Sequence, residues 1–135
     1  VSSYDFSDFT DKRLLLVEDN ELNLEIAVEL LKYAGLNITT AKNGLEGLDK
    51  FKAAPPGTYV LILMDIQMPV MNGLEAAKAI RALPVKDAQT VPIVAMTANA
   101  FPEDIAATLQ AGMNEHLSKP IDLEQFHSIL QKWCQ

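Results

Sequence analysis

Short aliphatic runs recur along the chain, and each is followed by a stretch whose apolar residues fall at helical spacing. Leu14-Leu15-Leu16-Val17, Tyr59-Val60-Leu61-Ile62-Leu63-Met64 and Pro92-Ile93-Val94-Ala95-Met96 are continuously apolar, as a strand buried on both faces must be. The β-branched segment Asn37 to Ala41 and the short segment Glu115 to Ser118 add two more strands. Between them, Leu24, Ala27, Leu31 and Ala34 form one helical stripe, widened by Ile26 and Leu30. Leu45, Leu48 and Phe51 form a second stripe, and Leu74, Ala77 and Ile80 a third, which Pro84 closes. Pro102 opens a fourth helix with Glu103 and Asp104 in its first turn, and Gly112 ends it. Leu123, Phe126, Leu130 and Trp133 make the last stripe, with Trp133 read as facing the core.

The local signals agree with these boundaries. Asn20, Asn43 and Asp122 stand where helix N-caps belong, and Gly35 stands where the first helix should stop. Ala54-Pro55-Pro56-Gly57 reads as a loop, and Met68 and Met71 as loop packing. Strand and helix therefore alternate five times, which predicts an α/β domain with a parallel sheet covered on both faces and right-handed crossovers. At 135 residues the chain has room for one such domain. Residues 1–11 read as a linker or N-terminal extension and residues 12–135 as the domain. The chain opens at Val1 without Met, which leads us to expect a piece cut from a longer chain.

Charge narrows the function. The net charge of −7 disfavours binding to nucleic-acid backbones. No stretch is long and apolar enough to span a membrane, so no membrane contact is expected of this domain. The single cysteine, Cys134, can form no internal disulfide, and with two scattered histidines it makes no zinc cluster. A cytoplasmic setting fits, including the cytoplasmic end of a membrane-anchored sensor. His127 is read as a surface residue of the last helix.

Ligands of open α/β sheets bind beyond the carboxyl ends of the strands. Here those ends carry Glu18-Asp19, Asp65, Thr97 and Ser118-Lys119-Pro120. Each alone has an ordinary structural explanation, such as a turn or a helix cap. Together they gather three carboxylates, a hydroxyl and an ammonium on one edge. Converging carboxylates repel one another, and a hard divalent cation such as Mg2+ resolves the repulsion. With that cation and Lys119 the formal charge of the site sums to zero, leaving it receptive to a phosphoryl group.

The segments Leu16-Val17-Glu18-Asp19-Asn20, Leu63-Met64-Asp65-Ile66-Gln67-Met68-Pro69, Met96-Thr97-Ala98 and Ser118-Lys119-Pro120 resemble the receiver domain of two-component signalling. Their spacing does too: Asp65 follows Asp19 by 46 residues, Thr97 follows Asp65 by 32, and Lys119 follows Thr97 by 22. The resemblance covers about residues 12–133 and implies a (βα)5 flavodoxin-like, doubly wound fold with strand order 2-1-3-4-5. It implies that Asp65 is the phosphoacceptor, that Glu18, Asp19, Asp65 and the backbone carbonyl of Gln67 hold Mg2+, that Thr97 is the switch hydroxyl, and that Lys119 contacts the phosphoryl group. It places His116 where the family usually carries an aromatic switch residue, and it implies a cis Lys119–Pro120 bond.

The resemblance further implies a phosphohistidine donor on a histidine phosphotransfer domain or on a histidine kinase dimerisation/phosphoacceptor domain. That partner would dock on Leu22, Ile26, Pro120 and Ile121. The segments Glu18 to Asn23, Met96 to Ala100 and Gly112 to Asn114 are most similar to receivers of hybrid sensor histidine kinases. A free-standing single-domain regulator is the alternative. The domain would catalyse its own aspartyl phosphorylation and carries no kinase core. A haloacid-dehalogenase-like phosphohydrolase would want an Asp two residues after the nucleophile, where this chain has Gln67, and a flavin carrier would want a hydroxyl-rich phosphate loop after the first strand.

Overall fold

The computed structural model describes residues 9–68, 70–98, 102–119 and 121–133. Five strands are present: β1 (Arg13–Val17), β2 (Asn37–Ala41), β3 (Leu61–Asp65), β4 (Ile93–Thr97) and β5 (Glu115–Ser118). They pair in parallel in the order β2-β1-β3-β4-β5. The helices are α1 (Glu21–Tyr33), α2 (Gly44–Ala53), α3 (Gly73–Arg81), α4 (Lys86–Thr90), α5 (Pro102–Gln110) and α6 (Leu123–Trp133). The sequence pattern predicts all of these except α4. That five-residue helix buries only Ala88 and so has no apolar stripe to betray it.

Strand alternation sorts the core into two layers. Leu14, Leu16, Leu61, Leu63, Val94, Met96 and Leu117 face α1 and α6, meeting Ala27, Leu31, Phe126 and Leu130. Leu15, Val17, Ile62, Met64, Ile93 and Ala95 face the other way, onto Phe51 of α2 and Ala76, Ala77 and Ile80 of α3. Caps hold the helices, at Asn20 and Asn43 as the sequence suggests and at Asn72, which the sequence reading does not name. The Asn20 side chain accepts from the Asn23 N–H, Asn43 from Glu46 and Asn72 from Glu75, the last within a reciprocal capping box. Gly35 leaves α1 with φ of +88°, a conformation that favours glycine.

Two sequence readings change. His127 is half-buried, edge-on to Phe9 with ring centroids 6.5 Å apart, because Phe9 packs against α6. Phe9 itself is 1% exposed and belongs to the α1/α6 core layer. Ile26 does not widen the buried stripe of α1: it is 51% exposed. No helix among the described residues is long and apolar enough to cross a membrane.

The end of β3 and the start of α3 touch without any side chain between them. A Cβ on Gly73 would lie 2.3 Å from the Asp65 carbonyl oxygen and 2.9 Å from the Ile66 Cα. The Gly73 N–H also donates to the Ile66 carbonyl at 2.8 Å. Gly73→Ala must therefore push α3 away from the strand end that carries Asp65. It is expected to cost about 1–3 kcal/mol in urea unfolding. Unchanged stability would show that the strand end yields easily.

Candidate functional site

Three loops bring the site together. Glu18 directly follows β1, its N–H continuing the ladder to the Ala41 carbonyl at 3.0 Å. Asp65 is the last residue of β3, the strand beside β1. Lys119 directly follows β5, tied back by its N–H to the Thr97 carbonyl at 3.0 Å. Its ammonium lies 2.9 Å from Glu18 Oε1 and 3.0 Å from Asp65 Oδ1, bridging both carboxyls. The Asn20 N–H donates to the other Glu18 oxygen at 3.2 Å.

Burial makes these charges costly. Glu18 is 3% exposed and Asp65 is 5% exposed. Burial first, then the facing Glu18, pushes the Asp65 carboxyl up to about 7, against the pull of Lys119. Burial also pushes Glu18 up, but hydrogen bonds with Asp65, Lys119 and the Asn20 N–H outweigh it and hold Glu18 below the ordinary carboxyl range. Burial pulls the Lys119 ammonium down, and its two carboxyl partners more than restore it. The three groups thus hold one more acid than they can ionise cheaply.

Asp19 completes an acidic group. Ligand oxygens of Glu18, Asp19 and Asp65 lie within 4.8 Å of one another, with Asp19 exposed to the solvent side. An all-oxygen donor set of this charge fits a hard divalent cation. The cleft around it has a volume of about 480 Å³, and Gln67, Thr97 and Ala98 also line it.

The other predicted residues fall in different places. His116 sits mid-strand in β5, in register with Ala95, and is half-buried outside the cleft lining. Leu22 is 65% exposed on the first turn of α1. Ile26 and Ile121 line an adjoining hollow of about 290 Å³, which shares Glu18, Asn23, Met96, Ala98 and Lys119 with the cleft. Pro120, and with it the expected cis bond, lies outside the described residues. The structure adds Asn23 and, from α5, Asp104 and Ala107 to the cleft wall. Asp104 carried a signal, an acid two residues into a helix that follows a strand end, but its position there has an ordinary helix-dipole reason.

A stability test follows from the balance of charge. Asp65 binds its proton more tightly folded than unfolded, so its ionisation costs stability as pH rises through about 7. In the absence of divalent metal, Asp65→Asn is expected to exceed the parent protein in stability at pH 8 by on the order of 1–3 kcal/mol. The gap should close toward pH 5 in urea titrations. A gap independent of pH would place the cost elsewhere than on the charge.

Relatives agree with this geometry. Residues 14–131 match the family described as response regulator receiver domain. The chain is 37% identical over 118 residues to the peroxide stress-activated histidine kinase mak1 of Schizosaccharomyces pombe, covering 87% of this chain and 7% of that protein. The receiver domain of sensor histidine kinase PA1611 from Pseudomonas aeruginosa, with a magnesium ion coordinated in its active site cleft, aligns with a TM-score of 0.81 at 36% identity, over 92% of this chain and 98% of that one. The receiver domain of Saccharomyces cerevisiae Ssk1, co-crystallised with the histidine phosphotransfer protein Ypd1, aligns at 0.79 and 33% identity, over 93% and 90%. The chain spans only a small part, 4–15%, of the length of curated relatives such as a Dictyostelium discoideum hybrid signal transduction histidine kinase and an Oryza sativa probable histidine kinase. Its sheet order, its strand-end acids and these likenesses agree: the chain belongs to the response regulator receiver domain family and is homologous to the receivers of hybrid histidine kinases.

Proposed function

We propose that Asp65 takes a phosphoryl group from a phosphohistidine and holds it as an aspartyl phosphate for relay. The observation that carries this is a nearly buried carboxyl bridged at 3.0 Å by Lys119 beside two further acids, at the open end of a parallel sheet. Phosphoryl transfer asks a protein mainly for positioning and charge stabilisation, and the site is equipped for both. Asp65 offers an oxygen to phosphorus in line with the departing imidazole nitrogen. Lys119 offers its ammonium to a phosphoryl oxygen, released from the pairing it makes at rest. Thr97, ending β4 on the cleft wall, offers a hydroxyl to another. His116, on β5 beside β4, is the residue whose packing would register that change.

Glu18, Asp19, Asp65 and the Gln67 carbonyl would hold Mg2+. Bound there, the cation would neutralise charge on the carboxylates and the transferring group. The hybrid kinases among the relatives support a place within such a kinase, working in the cytoplasm. The donor is then a histidine phosphotransfer domain or a kinase's own phosphohistidine domain, a helical bundle presenting one His to the strand ends. Leu22 and Ile26, exposed on α1, and Ile121 beside the apolar hollow suit a small transient contact.

Asp65→Asn is expected to abolish hydroxylamine-labile labelling by a phosphohistidine donor, and chelation of divalent metal to suppress labelling of the parent protein. Labelling of the variant at full extent would refute the assignment. Leu22→Ala with Ile121→Ala should slow transfer from the helical partner roughly five- to tenfold, while leaving modification by acetyl phosphate nearly unchanged. Equal slowing with both donors would place the defect in the fold or the chemistry, not in docking.

A further inference from the structure

The charges lining the cleft divide unevenly between its walls. Glu18, Asp19 and Asp65 cluster on the β1 and β3 side with Lys119 among them, whereas Asp104 comes alone from the first turn of α5. Every other lining residue is uncharged, Asn20, Asn23, Thr97 and Ala98 among them. Lys119 is committed to Glu18 and Asp65, and among the described residues Asp104 makes no ion pair. A divalent cation on the acidic group would bring that group and Lys119 to zero formal charge. Among the described lining residues, Asp104 would then be the charge left uncompensated.

We infer that Asp104 is a donor-selectivity residue, favouring phosphoryl donors whose leaving group is an N–H-bearing imidazole over donors that expel an anion. The inference rests on Asp65 being the phosphoacceptor. In either reaction the Asp65 oxygen forms a bond to phosphorus while the bond from phosphorus to the leaving group breaks, its electron pair departing with that group. From a phosphoimidazole protonated on its second nitrogen the pair returns to the ring, and neutral imidazole leaves with an N–H to donate. From an acyl phosphate the pair leaves on a carboxylate, which gains negative charge as it departs. The Asp104 carboxylate, exposed on the cleft wall, would accept a hydrogen bond from the first and repel the second. The residue would thus help a protein phosphohistidine compete against soluble acyl phosphates.

The test uses two small donors that need no docking surface, N-phosphoimidazole and acetyl phosphate, at one pH with Mg2+ in excess. The readout is the ratio of the two rates of hydroxylamine-labile labelling. Asp104→Asn is expected to lower the ratio of phosphoimidazole to acetyl phosphate rates roughly two- to fivefold, and Asp104→Lys to lower it further. At 1 M salt, where screening acts within about 3 Å, the parent protein should approach the variants. Glu103→Gln, on the same turn but outside the cleft lining, should leave the ratio alone. A ratio unchanged in Asp104→Asn, or lowered equally by Glu103→Gln, would overturn the inference. Failure of both donors to label the parent protein at Asp65 would instead overturn the reading of the site on which it rests.

Discussion

Two buried carboxyls, Glu18 and Asp65, share the single ammonium of Lys119, and most of the architecture can be read as the means of putting them there. The sharing demands that β1 and β3 be neighbours, since the acids sit at their ends, and the order β2-β1-β3-β4-β5 makes them so. It also demands that a cation arrive from β5, three strand steps from β1 at about 4.8 Å each. The Lys119 N–H extends the β4–β5 ladder to the Thr97 carbonyl, which fixes where that lysine leaves the sheet, and its long side chain reaches both acids from there. Glycine is needed behind Asp65 for the same reason: α3 begins against the strand end, and Gly73 leaves no side chain to hold it off.

This arrangement is unfinished without a further cation or a proton. Burial and Glu18 push Asp65 up to about 7, so near neutrality the group stands between its two states. Exposed Asp19 adds acid on the solvent side, where a hydrated divalent ion could approach without the whole site opening. In the proposed function, metal, proton and phosphoryl occupancy would be coupled through this one small set of charges. That coupling is a sound basis for a signal, because each occupant changes the balance the others meet.

The features legible in the sequence are those with local causes. Continuous aliphatic runs could only be doubly buried strands, and the acids at their ends were visible because a parallel sheet gathers its carboxyl ends on one edge. Asn20, Asn43 and Gly35 announced helix ends through their own side-chain and backbone chemistry. What stayed hidden depends on contacts between distant segments. Helix α4 presents only Ala88 to the core, so periodicity is silent about it. His127 looks like a surface residue until Phe9, from the other end of the chain, covers it. Asp104 has a sufficient local reason to begin a helix, which conceals that the α5 wall also faces the cleft.

The far end of the sheet is built on the opposite principle. Half-buried Arg81, at the end of α3, donates to the Gly112 carbonyl at 2.9 Å, the Ala88 carbonyl at 3.0 Å and Asn114 Oδ1 at 2.7 Å. The same Asn114 oxygen accepts from the Ile93 N–H at 2.9 Å, so the guanidinium joins α3, α4 and the turn into β5 to the first residue of β4. Burial pulls the guanidinium below its ordinary range, yet arginine keeps its proton in proteins, so this junction does not titrate. A permanently charged group with neutral acceptors suits a fixture, since neither the guanidinium nor its acceptors titrate near neutral pH. Titratable carboxyls around a lysine that both of them share suit the opposite role. β4 and β5 thus run from this junction to the edge that carries Thr97 and Lys119, and their parallel pairing holds Thr97 in register with Ser118, the residue before that lysine.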